Sequence, residues 1–203
     1  ITATALAELA DERAALFAVV VNRADPECLP EIVDAARESV SARFGSAHEI
    51  PVWAVPEDRF LVAPSMRGIL RSVDGTLLKG DPELMTREAL SVVVAGMSMV
   101  NVLPRLLESS VVVIAADRTE VLLATLLANA SGTFPSISGI VLNGGFALPA
   151  EIDRLIDGLG SNLPIISTQL GTYDTAVRVM NTRGRLAADS QRRYDTALAL
   201  FER

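Results

Sequence analysis

The sequence predicts an α/β fold: a mostly parallel sheet flanked by helices. Three observations carry this. Short apolar runs such as Val111 to Ala116 alternate with stretches of helical period. Those runs are apolar at nearly every position, as strands covered on both faces must be. Half of the 203 residues are apolar, enough to bury a core without disulfide or metal staples.

Taken in order, residues 3 to 14 read as a helix with Ala and Leu on one side, and Leu16 to Val21 as a buried strand ended by the turn Asn22 to Pro26. Pro30 to Phe44 has the helical period, with Pro30 tolerated in a first turn. Pro51 to Val55 is a second strand, in which Trp53 is expected to pack. Pro56, Pro64 and the short run between them then break the rhythm. Ser65 caps an expected helix MRGILRSV, followed by a small strand TLLKG closed by Gly80 and a loop or weak helix over 81–90. Strands are expected at 91–95, 110–115, 138–142 and 164–167, each followed by a helix at roughly 99–108, 119–130, 149–158 and 172–181. A last helix runs from about 189 to 201. The expected division is 1–55, a short α/β piece, and 56–203, a complete α/β unit.

Composition removes several functions. There are 25 acidic and 18 basic residues, giving −7, so a nucleic-acid partner is not expected. Lys79 is the one lysine and lies in no GxxxxGK[ST] context, which excludes P-loop hydrolysis by this stretch. A single cysteine (Cys28) and a single histidine (His48) leave no disulfide, thiolate cluster or two-histidine metal site; no cofactor or metal is expected. His48 reads as a surface loop residue and Cys28 as incidental. No apolar run is long enough to span a membrane, and a cytoplasmic protein is the expectation. No catalytic set of acid, base and nucleophile can be assembled.

In open parallel sheets, ligands bind beyond the carboxyl ends of strands, where helix N-termini present free amides. Four such ends are legible: Gly96-Met97-Ser98, Asp117-Arg118-Thr119, Asn143-Gly144-Gly145, and Thr168 to Asp174 with Gly171 and Thr172 at the helix start. They suit a small anion. They also suit plain capping turns, because small polar residues cap helices and glycine accepts positive φ. Arg118 either pairs with Asp117 or reaches an anionic ligand.

The wording PVWAVPEDRFLVAPSMRGI, GTLLKGD, SVVVAGMSMVNVLPRL, VVVIAADRTEVLLATLLAN, GIVLNGGF and LPIISTQLGTYDTAVRV resembles the DRTGG-type domain, in the form found in the middle of long bacterial phosphate acetyltransferases. The naming motif falls on Asp117, Arg118 and Thr119, with Glu120 and Val121 where its two glycines would stand. Residues 1–55 resemble the closing part of a dethiobiotin-synthetase-like P-loop domain. The resemblance implies a non-catalytic regulatory or oligomerisation region, a homo-oligomer, and a C-terminal acetyltransferase domain of the same polypeptide that interconverts acetyl-CoA and phosphate with acetyl phosphate and CoA. It also admits a stand-alone module sensing a small anionic metabolite.

Overall fold

The computed structural model describes residues 2–11, 15–45, 50–184 and 191–201. His48 lies outside them. The chain forms two compact units, one from residues 1–61 and 192–203 and the other from 62–191. The division falls at 61/62, and the last helix, α9 (Gln191–Phe201), groups almost wholly with the first unit rather than the second.

In the first unit β1 (Val19–Ala24) and β2 (Val52–Pro56) pair in parallel, Val19 opposite Val52 and Val20 opposite Trp53. The connecting helix α2 (Leu29–Phe44) and the N-terminal α1 (Thr2–Asp11) supply Ala36, Val40 and Leu6 to a core with Val52, against which Val19 and Val21 pack. The strand begins three residues later than expected, so Phe17 is exposed. Trp53 does not pack either: it is 54% exposed beside Val20 at 55%. Strand side chains alternate between faces, and the residues whose side chains point inward are Val19, Val21 and Val52.

The second unit is a three-layer α/β sandwich. Its sheet runs β3 (Thr76–Lys79), β7 (Ile165–Ser167), β6 (Gly139–Asn143), β5 (Ser110–Ala115), β4 (Ser91–Val94). β4 to β7 are mutually parallel, and β3 joins antiparallel to β7. Adjacent positions on each strand serve opposite layers. Val112, Ile114, Ile140, Leu142 and Ile165 face α5 (Met99–Val102), α6 (Thr119–Ser131) and α7 (Ala150–Gly158). Val111, Val113, Val141 and Ile166 face α4 (Met66–Ser72) and α8 (Thr172–Asn181). That double burial is why these strands are apolar throughout.

The strand order 4-5-6-7 is monotonic, so crossovers of one hand place α5, α6 and α7 on one face. After β7 the chain goes to the other face as α8. Ser65 caps α4 by accepting from the Gly68 amide, as its sequence suggested. The expected helix 99–108 is cut to Met99–Val102 and a 3-10 turn Leu103–Arg105, because Pro104 has no amide to donate. Gly80 closes β3 with φ of 99°, and a side chain there would strike the Leu163 carbonyl. A short α3 (Arg59–Val62) lies at the division between units.

Candidate functional site

The carboxyl ends of β4 to β7 form a continuous row stitched by hydrogen bonds. Arg118, at the exit of β5, donates to the Met97 carbonyl at 2.9 Å and the Gly96 carbonyl at 3.5 Å. The Ala116 amide donates to the Asn143 carbonyl at 2.9 Å, joining the ends of β5 and β6. Gly144 and Gly145 donate to the Leu170 and Thr168 carbonyls, joining β6 to β7. All four sequence-identified segments are therefore brought together.

Their roles differ from those expected. Arg118 does not pair with Asp117: its Nε donates to Glu120 Oε1 at 2.8 Å, while Asp117 sits exposed on the turn. The Glu120 carboxyl is held below its ordinary value, first by Arg118 and then by its own backbone amide. Glu120 thus fills, from within, the positive niche that Arg118 and the start of α6 create. Thr119 is the first helical residue of α6. Ser98 occupies the N-cap position of α5 without a side-chain cap; its hydroxyl accepts from Asn101 instead.

The β6–β7 end is different. α7 and α8 leave these adjacent strands for opposite faces of the sheet, which is the local geometry of a ligand crevice in open α/β sheets. Gly144 and Gly145 have φ of 94° and 72°, and a side chain on Gly145 would collide with the Gln169 amide. Asn143 is 2% exposed; its Nδ2 donates to Thr172 Oγ1 at 2.8 Å. Its Oδ1 is buried and has no partner among the described residues. α8 begins at Gly171 with no side-chain cap, leaving its first amides available. Thr168 anchors the loop: its hydroxyl donates to the Val73 carbonyl at 2.6 Å and accepts from Leu170.

The sequence reading missed Glu120 as an internal partner and Thr168 as an anchor. A basic N-cap followed by an acid in the first helical turn is the signal for the former. The Val73–Thr168 contact joins residues 95 apart, and no local pattern announces it. Among the described residues no group of three metal-ligating side chains occurs, and no helix is long and apolar enough to cross a membrane.

Comparison with known proteins places the chain in a family. The phosphate acetyltransferase of Nitratidesulfovibrio vulgaris is 30% identical over 202 residues, covering 97% of this chain and 28% of that protein. That of Synechocystis is 26% identical over 192 residues, covering 94% and 27%. That of Escherichia coli is 26% identical over 156 residues, covering 76% and 21%. The chain therefore spans between about a fifth and little more than a quarter of the length of these curated relatives. Among solved structures, the CBS and DRTGG domains of the regulatory region of Clostridium perfringens pyrophosphatase, complexed with the activator diadenosine tetraphosphate, give a TM-score of 0.43 at 16% identity. The match covers 72% of this chain and 64% of that one. The DRTGG domain matches residues 68–182, which span all four strand ends, β3 and most of α4. More than half of the chain is thereby accounted for, and the chain belongs to the DRTGG domain family.

Proposed function

We propose that this chain is a non-catalytic regulatory and assembly region of a phosphate acetyltransferase, acting in the cytoplasm on an acetyltransferase domain of the same polypeptide. That domain would interconvert acetyl-CoA and phosphate with acetyl phosphate and CoA. The relatives' names and the family membership support the reading. Residues 1–55 serve in it as the closing part of a P-loop-like domain; a parallel strand pair with Val20 and Trp53 exposed on one face supports this.

The regulatory ligand in this reading is a small anion. Gly96, Ser98, Asp117, Arg118, Thr119, Asn143, Gly144, Gly145, Gly171 and Thr172 form its rim, and the β6–β7 end is its centre. The observation that carries this is Asn143, buried with an unpartnered Oδ1 beside the uncapped start of α8. Amides there accept an anion, and the orphaned oxygen accepts a hydroxyl or amino group of the same molecule. Arg118 is already committed to Glu120 and the Gly96–Met97 loop, so it contributes less than its charge suggests.

Calorimetric titration of the chain with acetyl phosphate, pyruvate and adenine nucleotides tests the reading. At least one should bind, and Thr172→Val should weaken it severalfold. Absence of heat with every one of them overturns the small-ligand part and leaves assembly standing.

A further inference from the structure

The core of the second unit is aliphatic: Phe134, Phe146 and Tyr173 are its aromatic residues, and none of them is in either buried cluster. Two of the three stand in solvent at the β6–β7 end, Phe146 at 55% exposure and Tyr173 at 79%. Phe146 follows Gly144 and Gly145, and a side chain on Gly144 would meet its ring at 3.0 Å. Tyr173 follows Thr172, whose Oγ1 accepts from the Asn143 amide. That buried contact leaves two groups unspent. Asn143 Nδ2 can only donate, so the hydrogen of the Thr172 hydroxyl is available to another acceptor at the exposed start of α8. On the same Asn143 amide, Oδ1 is sealed from solvent and has no donor among the described residues. An acceptor so placed is costly until a donor reaches it.

We propose that the β6–β7 end binds a mononucleoside phosphate whose base carries an amino group. The inference rests on the small-anion reading above and names the class of ligand. The phosphate meets the Thr172 hydroxyl and the first amides of α8, which no side chain caps. The amino group donates to Asn143 Oδ1. The base stacks on Phe146, whose place after two glycines of positive φ lets its ring lift from Gly144 without disturbing the core and opens the way to Asn143. Tyr173 offers a second ring at the start of α8. Acetyl phosphate or pyruvate would engage the amides alone, because neither carries a ring or a donor for the buried oxygen. Charge limits the ligand to one phosphate. Asp174 stands in the same first turn, and Arg118, the basic side chain of the rim, is paired with Glu120. A polyphosphate would find no further cation there.

Calorimetric titration of the whole chain with AMP, ATP, acetyl phosphate and purine riboside monophosphate, which is AMP without its amino group, tests this. AMP should bind about tenfold tighter than the purine riboside analogue, the worth of one buried hydrogen bond. ATP should bind more weakly than AMP. Phe146→Ala should weaken AMP by about tenfold with an unchanged urea midpoint, the loss expected for one stacked base. Phe134→Ala, in the loop that enters the opposite end of β6, should leave AMP binding unchanged. The pair of ligands decides the role of the amino group on the wild-type chain, whether or not a variant folds. Equal affinity for AMP and its analogue, or AMP binding indifferent to Phe146→Ala, overturns the inference. Binding of acetyl phosphate without AMP also overturns it and leaves the small-anion reading standing. No heat with any of the four overturns both.

Discussion

Replacing Arg118 with alanine separates a structural strap from a ligand-binding group. The side chain is one-third exposed and makes three contacts: Glu120, Met97 and, at the outer limit of a hydrogen bond, Gly96. The exposed Glu120 pair adds little, since its charges are screened by water. The Gly96 contact at 3.5 Å adds little as well. What remains is one charge-assisted hydrogen bond to the Met97 carbonyl in a loop reached by solvent, so the low end of the range for such bonds applies, about 1.5 kcal/mol. With a urea slope of roughly 1–3 kcal/mol/M, the midpoint should fall by about 0.5–1.5 M. Circular dichroism is the proper probe, because Trp53 lies in the other unit and its fluorescence does not report on this one. Ligand affinity, measured in parallel, should change little. A melt identical to wild type, together with a tenfold or larger loss of anion affinity, would refute the strap and make Arg118 the anion-binding group.

The low carboxyl value of Glu120 gives a pH signature. Its folded value lies below the ordinary 4.5, so its stabilisation is present above that pH and is lost as pH falls through the folded value; Glu120→Gln should flatten the acid limb of urea midpoints. Lys79 lies between Asp153 at 3.0 Å and Asp157 at 2.7 Å, which raise it above 10.5. Its contribution is full below that pH and lost as pH rises through the raised value, so Lys79→Met should flatten the alkaline limb of urea midpoints. Thr168→Val strands the Val73 carbonyl and should cost about 1–3 kcal/mol by urea melt. Gly80→Ala should cost about 2–4 kcal/mol, combining positive φ with a backbone collision. Gly132→Ala, at φ of 67° in open space, should cost only about 1 kcal/mol; equal effects would refute the collision.

The α/β class and the four parallel strands were legible because a strand buried on both faces must be apolar at successive positions. Val111 to Ile114 could satisfy two layers only by being apolar at every position. Helix starts were legible for the same local reason: Ser65 caps within three residues of its own position. The candidate rim was legible as a set of strand ends, since glycines and small polar residues gather wherever a strand turns into a helix.

What the sequence could not determine depends on neighbours distant along the chain. The exposure of Trp53 depends on what lies across a two-stranded sheet, not on the apolar run that contains it. Arg118 was expected to pair with Asp117 or to reach an anionic ligand; in the folded chain it pairs with Glu120, and the β4 loop brings the Met97 carbonyl within reach of its guanidinium. The buried orphan of Asn143 exists only because β6 and β7 are neighbours whose helices leave for opposite faces. Local backbone preference and burial period are properties of consecutive residues, so the sequence alone determined the elements. Partnership between charges, and the face on which a helix lands, are properties of residues tens of positions apart, and only the folded chain decided them.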